Sequence, residues 1–213
     1  MSRAVRPLSR EAFGEQLGVS RETLERLTVH LDLLRRWQPA INLVGPATLA
    51  DPWRRHMLDS AQLAAHLPAA AVNLVDLGSG AGFPGMVLAL LGVGDVHLVE
   101  ADRRKAQFLR EVARATGAPA TIHAERIERM QGWPAAVVTA RALAPLPHLL
   151  ELADRFLVSD SVCLLLKGKS AERELTDARV SWHMLSATFP SRSDRLGTVL
   201  KLREICRARD RQS

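Results

Sequence analysis

The chain has 213 residues, a formal net charge of +6 at pH 7 and an apolar fraction of 47%. This length predicts one domain with at most a short extension, and the apolar fraction is large enough to build a core. No segment reaches the roughly 18 apolar residues of a membrane helix, and no apolar run follows the arginines near the amino terminus. The two cysteines are too few for a disulfide framework, and no Cys/His cluster has metal-site spacing. These features lead us to expect a cytoplasmic protein with no bound metal and no membrane association.

The positive charge does not by itself identify a partner. It is spread along the chain and comes mainly from arginine, so it favours a nucleic-acid substrate only slightly. The chain has four Trp, five Phe and no Tyr, so no aromatic platform for stacking single-stranded bases is evident.

The first part of the chain, residues 1–68, is predicted to be a helical extension. Leucines recur there at helical spacing, at Leu24, Leu27, Leu31 and Leu34. Ser20 is a suitable N-cap for this helix, and Pro39 marks its end. A second helix is predicted to start at Pro52 and to end at Pro68.

From residue 69 to 213, short apolar runs alternate with helical stretches. Strands are predicted at 72–76, 96–100, 121–122, 135–139 and 161–166, with helices at 84–91, 102–116, 147–157 and 171–179. Two further strands, around 182–188 and 198–205, complete the pattern. Such alternation predicts an α/β fold in which a mostly parallel sheet is covered on both faces and the last two strands form an antiparallel edge.

A glycine-rich loop, 75–85, joins the first strand to the next helix and is the main candidate ligand site. Gly78, Gly80 and Gly82 recur at every second position, and 80–85 fits the pattern G-x-G-x-x-G. Glycines at such a turn let a ligand approach the backbone closely, and Pro84 suits the first turn of the helix that follows. The pattern alone fits several nucleotide ligands.

Two acidic residues narrow the choice of ligand. Asp76 ends the first strand, and Glu100 ends the second, where a carboxylate is placed to accept ribose hydroxyls. The carboxylate of Asp76 would repel a pyrophosphate and attract the sulfonium and ammonium groups of S-adenosylmethionine. We therefore expect S-adenosylmethionine as the cofactor, with a dinucleotide, or a glycine-rich turn without a ligand, as open alternatives.

Several motifs in order along the chain resemble one family, the bacterial small-subunit ribosomal RNA guanine-N7 methyltransferases, also called the glucose-inhibited division protein B family. The similar segments are Trp37 with 41–43, then 55–60, the loop 76–85 with its Phe-Pro-Gly ending, Glu100 with 104–105 and 108–109, 141–142 and 167–168. Three positions depart from the family pattern: Gln38 and Pro39 stand where asparagine and lysine are usual, and Ala140 stands where a serine is common. They bear on local substrate contacts more than on the cofactor site.

The resemblance implies a class I S-adenosylmethionine-dependent methyltransferase fold with an amino-terminal helical extension. It implies methyl transfer to N7 of a guanine in 16S ribosomal RNA of the small ribosomal subunit, with S-adenosylhomocysteine as the product. The oligomeric state stays open at this point, with a monomer as the default expectation. Besides Asp76, Gly80 and Glu100, the residues that it places at the cofactor are Gly78, Phe83, Ile127, Glu128 and Arg141.

Guanine N7 carries an exposed lone pair, so its methylation requires no general base. Catalysis would consist of placing N7 in line with the methyl group, which is proximity and orientation. The candidates for positioning and for holding RNA are Arg54, Arg55, His56, Arg104, Lys105, Arg141 and Lys167. Arg141 and Lys167 follow strands, at the sheet edge where ligands bind. His56 is a catalytic candidate that fits a hydrogen-bonded core histidine equally well.

Three other functions remain open at this point. A methyltransferase for another RNA, a protein or a small molecule would share the glycine loop, and only its substrate would distinguish it. A dinucleotide-dependent oxidoreductase conflicts with the position of Asp76. A non-enzymatic RNA-binding protein conflicts with the retention of both acids and all of the loop glycines.

Overall fold

The computed structural model describes residues 6–68 and 73–208. Its α-helices are α1 (Arg10–Leu17), α2 (Arg21–Trp37), α3 (Asp59–Ala61), α4 (Gly85–Leu90), α5 (Arg103–Thr116), α6 (Leu146–Ala153) and α7 (Ala171–Ala178). Its strands are β1 (Leu74–Leu77), β2 (Val96–Val99), β3 (Ala120–His123), β4 (Val137–Arg141), β5 (Val162–Lys167), β6 (Trp182–Pro190) and β7 (Thr198–Arg207). Residue 72, in the predicted first strand, lies outside the described residues.

The strands form one sheet in the order β3-β2-β1-β4-β5-β7-β6. Neighbouring strands from β3 to β5 run parallel, whereas β7 is antiparallel to both β5 and β6. The predicted α/β class, with a parallel sheet and an antiparallel edge pair, is confirmed. In the sheet, β1 lies between β2 and β4, so the strand order reverses between β1 and β4. Open α/β sheets bind ligands at the carboxyl ends of the strands beside such a reversal.

Side chains of the central strands are buried on both faces of the sheet, which explains their unbroken apolar sequence. Leu74 packs in a cluster with helices α1, α2, α4 and α5, while its neighbour Val75 packs on the opposite face with α6 and α7. The first cluster also contains Phe13 and Leu31, so the amino-terminal helices share one continuous core with the sheet. The division at 68/69 stays a prediction, and it adjoins residues 69–72, which are outside the description.

Helix α2 is the clearest case of local sequence determining a local element. The Ser20 side chain accepts a hydrogen bond from the Thr23 amide, which satisfies one free donor of the first turn. The apolar stripe buries Leu27, Leu31 and Leu34 against the core. The helix ends at Trp37, two residues before the proline, as predicted.

The predicted helix from Pro52 to Pro68 is helical but irregular. It consists of a π-helical turn (Trp53–Leu58), the single turn of α3 and a 3₁₀ turn (Gln62–His66). A π-helical turn shifts the side chains away from the usual 3.6-residue spacing, and such turns are frequent at functional sites. This one carries Arg55 and His56. Among the described ranges, none of the helices combines the length and apolar character required to cross a membrane.

Candidate cofactor and substrate site

A cavity of about 990 Å³ opens at the carboxyl edge of the parallel strands. Its lining comes from the end of each parallel strand or from the residues directly after it: 78–81, 99–101, 125–128, 141–145 and 166–168. Residues 43–45 and Thr48 of the amino-terminal segment form a further wall. The cavity therefore lies where the strand order reverses, as the sequence predicted for the glycine loop.

The backbone of the glycine loop favours glycine at three positions. Gly78, Gly80 and Gly82 have φ of +66°, +54° and +87°, in the region that other residues rarely adopt. A side chain at Gly82 would also collide with Met86, since an added Cβ would lie 2.7 Å from the Met86 Cβ. The loop is closed by the Gly82 amide, which donates to the Ser79 carbonyl at 2.7 Å. These constraints hold the main chain of 78–81 against the cavity.

Glu100 is fixed by two backbone donors and faces the cavity. One carboxylate oxygen accepts from the Gly80 amide at 2.8 Å, and the other accepts from the Asp102 amide at 2.8 Å. The side chain is buried, yet the residue lines the cavity. Since each carboxylate oxygen has two acceptor sites, the remaining ones are free for ribose hydroxyls. The free acceptor sites of Glu100 therefore fit the ribose hydroxyls in the adenosine part of S-adenosylmethionine.

Replacing Glu100 by alanine is expected to weaken binding of S-adenosylhomocysteine by roughly 1–3 kcal/mol, the range for hydrogen bonds to a charged group. Isothermal calorimetry measures the change. The matched control is Glu25→Ala, which removes an exposed carboxylate paired with Arg21 on α2, far from the cavity lining. Equal affinities for the Glu100 variant and the wild type would contradict the ribose role.

Asp76 is not among the residues that line the cavity, and the cofactor contact expected for it from the sequence stays a prediction. Its side chain is fully buried beneath the loop, where one oxygen accepts from the Thr139 hydroxyl at 2.7 Å. Burial raises the pKa of Asp76 to about 6. An added Cβ at Gly85 would lie 2.6 Å from the Asp76 Cβ, so the carboxyl group packs directly under the start of α4. Any effect of Asp76 on a bound cation is therefore electrostatic and through the loop.

The turn after β3 forms the end of the cavity beside Glu100. Ile127 and Glu128 both line the cavity, and they belong to a 3₁₀ turn, Ile127–Arg129. Ile127 is buried and offers an apolar surface, whereas Glu128 is exposed. An apolar wall next to the ribose site suits an adenine ring, and this contact remains a prediction.

Three aromatic rings stack at the opposite end of the glycine loop. The Phe83 ring lies between His30, at a centroid distance of 5.0 Å, and His56, at 4.8 Å, both close to parallel. The Arg141 guanidinium lies over the Phe83 ring at 4.8 Å. Phe83 thus fixes the positions of both His56 and Arg141 beside the cavity.

Arg141 makes more polar contacts than any one of the other sequence candidates. It donates to the Arg55 carbonyl at 3.2 Å, to the Asp59 carboxylate at 3.2 Å and to the His56 Nδ1 at 3.3 Å. Burial lowers the pKa of Arg141, and the Asp59 carboxylate opposes that shift. The guanidinium stays charged because its ordinary pKa lies so far above neutral. Its planar fork is held in one orientation at the cavity wall.

His56 is neutral and oriented by its two neighbours. The Thr48 hydroxyl donates to the Gly45 carbonyl at 2.6 Å, so it accepts from His56 Nε2–H at 2.8 Å. Nδ1 then carries the lone pair that faces Arg141. Burial lowers the pKa of His56 to about 3, and the positive charges of Arg141 and Arg55 add to the shift. These contacts make His56 a positioning residue for Arg141 and a very weak base.

His30 is buried in the same stack, and burial lowers its pKa to about 4. Between pH 6.5 and 4 the unfolded chain binds a proton at this histidine that the folded chain does not. This part of the stability is therefore fully present above pH 6.5 and is lost as the pH falls towards 4. Asp76 acts in the opposite sense, because its raised pKa makes the folded chain bind more protons below pH 6.

Replacing His30 by glutamine is expected to reduce the fall in the free energy of unfolding between pH 7 and 4.5 by about 2 kcal/mol. The comparison with wild type cancels the contribution of Asp76. Urea denaturation at the two pH values measures the difference, and His148→Gln, at an exposed histidine, is the control. An unchanged pH dependence in the His30 variant would contradict the neutral buried state of this histidine.

The structure brings three of the basic candidates to the cavity besides Arg141: Arg55, Lys105 and Lys167. Arg55 is half-exposed and pairs with Asp194 at 2.7 Å. The Lys167 side chain is 9% exposed and pairs with Glu174 at 2.8 Å, so its charge is already balanced. Lys105 makes no ion pair among the residues that the structure describes.

Two basic candidates lie outside the cavity lining. Arg54 pairs with Asp51 at 2.8 Å and donates to the Arg6 carbonyl, so it ties the amino-terminal segment together. Arg104 is exposed in the first turn of α5. For both, the expectation of contact with RNA has no support from the cavity geometry.

Sequence reasoning missed or left open several residues that shape the site. Gln38, one of the departures from the family pattern, bonds through its amide to the backbone of Leu43 and Val44 and so fixes the wall segment 43–45. Thr48 orients His56, although no motif pointed to it. Asp59, within the similar segment 55–60, is the ion-pair partner of Arg141.

Comparison with known proteins was made on sequence and on fold. The family model for rRNA small subunit methyltransferase G matches residues 23–195. The chain is 60% identical to ribosomal RNA small subunit methyltransferase G of Rhodospirillum centenum over 193 residues, covering 91% of this chain and 89% of the relative. The protein of the same name from Rhodospirillum rubrum is 54% identical over 198 residues, covering 93% and 98%.

Two solved structures are similar in fold at low sequence identity. A mutant of MtNAS in complex with S-adenosylmethionine has a TM-score of 0.58 and 15% identity, covering 92% of this chain and 84% of that chain. A TehB-like SAM-dependent methyltransferase from Corynebacterium glutamicum has a TM-score of 0.54 and 16% identity, covering 69% and 87%. The predicted Rossmann-like methyltransferase fold and the family read from the motifs are both confirmed: the chain belongs to the family of rRNA small subunit methyltransferase G.

Proposed function

We propose that this chain transfers the methyl group of S-adenosylmethionine to N7 of a guanine in 16S ribosomal RNA of the small ribosomal subunit. The observation that carries the proposal is one cavity that joins the ribose-binding position of Glu100 to the wall formed by Phe83, His56 and Arg141. Its volume of about 990 Å³ is at the upper end of the roughly 300–1,000 Å³ of ligand pockets. That space accommodates the cofactor together with an extruded base.

The cofactor supplies an electrophilic methyl group on sulfur. Guanine N7 needs no deprotonation, so this chain's residues have to bind, orient and exclude water. Glu100 and the glycine loop hold the adenosine part. Arg141 presents hydrogen-bond donors to the base, and the neutral His56 holds the guanidinium of Arg141 in position. In folded RNA, N7 lies in a deep, narrow groove that side chains reach poorly, so the target is expected in a loop or flipped from its stack.

The decisive assay supplies labelled S-adenosylmethionine and the purified protein with small ribosomal subunits from cells that lack this protein. Label is expected in 16S RNA at a single guanine, and cleavage chemistry specific for N7-methylguanine maps it. Isolated 16S RNA and an unrelated RNA are the parallel substrates. Transfer to another RNA, to a ribosomal protein, or to a guanine atom other than N7 would overturn the proposal in favour of a different methyltransferase activity.

The pH profile provides an independent check on the proposed chemistry. Because N7 requires no base and His56 has a pKa of about 3, single-turnover transfer at saturating cofactor is expected to be flat from pH 7 to 9, a range above the pKa of about 6 of Asp76. Rates measured by rapid quench over this range test it. A rate that rises with pH over this range would show that a titrating group acts as a base, against the neutral positioning role of His56.

We also propose that the protein acts in the cytoplasm, because its proposed substrate, the small ribosomal subunit, is located there. We further propose that a monomer acts on each subunit. The described part of the chain exposes few large apolar side chains, and they come from separate segments of the sequence: Val29, Val158, Val180, Leu185 and Leu196. Light scattering on the purified protein tests the monomer, and a stable dimer would contradict it.

A further inference from the structure

The loop between β6 and β7, residues 191–197, closes one side of the cavity. Ser191, Asp194 and Gly197 all line it. The loop is held by its own hydrogen bonds: the Ser191 amide donates to the Gly197 carbonyl at 3.0 Å, and the Gly197 amide donates to the Asp194 carbonyl at 3.0 Å. These bonds hold the loop backbone in one conformation, and the Cα positions of its exposed side chains are therefore fixed.

Four contacts anchor this loop to the helical segment that carries the site. The Ser193 hydroxyl donates to the Asp59 carboxylate, whose other oxygen binds Arg141. The Asp194 carboxylate accepts from Arg55 at 2.7 Å. The Gln62 side chain accepts from the Arg192 amide at 2.9 Å and donates to the Ser191 hydroxyl at 3.1 Å. Because Asp59 binds both Ser193 and Arg141, this carboxylate links the loop directly to Arg141.

The outward face of the loop is basic. Arg192 and Arg195 are both exposed, and within residues 6–68 and 73–208 neither makes an ion pair. Leu196, directly beside them, is 67% exposed. Two uncompensated guanidinium groups next to an exposed apolar side chain form a surface that suits a nucleic-acid backbone, with charge for phosphate and an apolar contact for sugar or base.

We infer that the loop 191–197 binds RNA phosphate beside the target nucleotide through Arg192 and Arg195, and that its anchor on Asp59 sets the register of the RNA relative to Arg141. The inference rests on the proposed function. Phosphate contacts carry no base information, but they fix the position and orientation of the nucleic acid on the protein. A contact anchored one carboxylate away from Arg141 places the target guanine more strictly than a contact at a distant surface would.

The test uses the full chain with the double substitution Arg192→Ala and Arg195→Ala. The matched control is Arg21→Ala with Arg35→Ala, which removes the same charge from two exposed arginines of α2 outside the cavity lining. Filter binding to small ribosomal subunits at several salt concentrations measures affinity, and single-turnover transfer measures the KM for the subunits. Calorimetry with S-adenosylhomocysteine reports whether the cofactor site is intact.

For the loop variant we expect the slope of log affinity against log salt to become shallower by about 2, one for each lost phosphate contact. The KM for the subunits should rise about tenfold at low salt, with unchanged cofactor affinity. The control variant should keep the slope of the wild type. A loop variant with the slope and KM of the control would overturn the inference, provided that the wild type methylates the RNA. Failure of the wild type to methylate RNA would instead overturn the proposed function.

Discussion

Replacement of Gly78 by valine is expected to abolish cofactor binding, with the dissociation constant for S-adenosylhomocysteine rising at least about 100-fold, or 2.7 kcal/mol. Two effects add. Gly78 has φ +66°, which a β-branched residue adopts only with strain. An added Cβ would also lie 2.5 Å from Cδ1 of Leu143, which itself lines the cavity. The valine would therefore push Leu143 into the space where the ligand binds.

A matched control separates the two effects. Gly117 has nearly the same backbone conformation, φ +62°, and an added Cβ there meets no atom within 4 Å. Gly117→Val should therefore lose stability through backbone strain while binding the cofactor normally. Thermal denaturation of both variants measures the strain, and calorimetry measures the affinity. Normal cofactor affinity in Gly78→Val, or an equal loss of affinity in both variants, would show that Gly78 does not lie where the ligand binds.

The sequence predicted the centre of the sheet well because the central strands are buried on both faces. Each apolar run that was predicted as a strand is a strand in the structure, and the last two runs form the predicted antiparallel edge. The glycine loop and Glu100 could also be located, because strand, turn and helix follow each other at fixed spacing. The position of Glu100 is determined locally, by backbone donors at Gly80 and Asp102.

Other parts of the site depend on contacts between residues far apart in the chain, and spacing carries no information about them. Asp76 was predicted to end the first strand, but it lies within β1, which continues to Leu77. Gly85 packs over its side chain, and Asp76 is outside the cavity lining. The π-helical turn breaks the helical period that a sequence pattern assumes, so the facing of His56 towards Thr48 and Arg141 could not be derived. The loop 191–197 reaches Asp59 only through the sheet topology.

Replacement of Arg141 by alanine is expected to lower kcat/KM for methyl transfer about 10²–10³-fold, since a misplacement of 1 Å in the reacting geometry can reduce rates about 100-fold. The guanidinium links the π-helical turn to the ring of Phe83 and to Asp59 in one fixed orientation. Arg141→Lys keeps the charge but offers no planar fork that reaches all these partners together. It is expected to recover only part of the lost activity.

A loss of packing alone would not produce this pattern. Arg26 is half-buried and donates to the carbonyls of Thr116 and Gly117, at 2.7 and 3.0 Å, away from the cavity lining. Arg26→Ala should therefore lose stability and keep the activity of the wild type wherever it remains folded. For the Arg141 variants, cofactor affinity should fall much less than kcat/KM, because Glu100 and the glycine loop are untouched. Activity of Arg141→Ala within about threefold of wild type, in a folded protein, would mean that the base is oriented by other residues of the cavity.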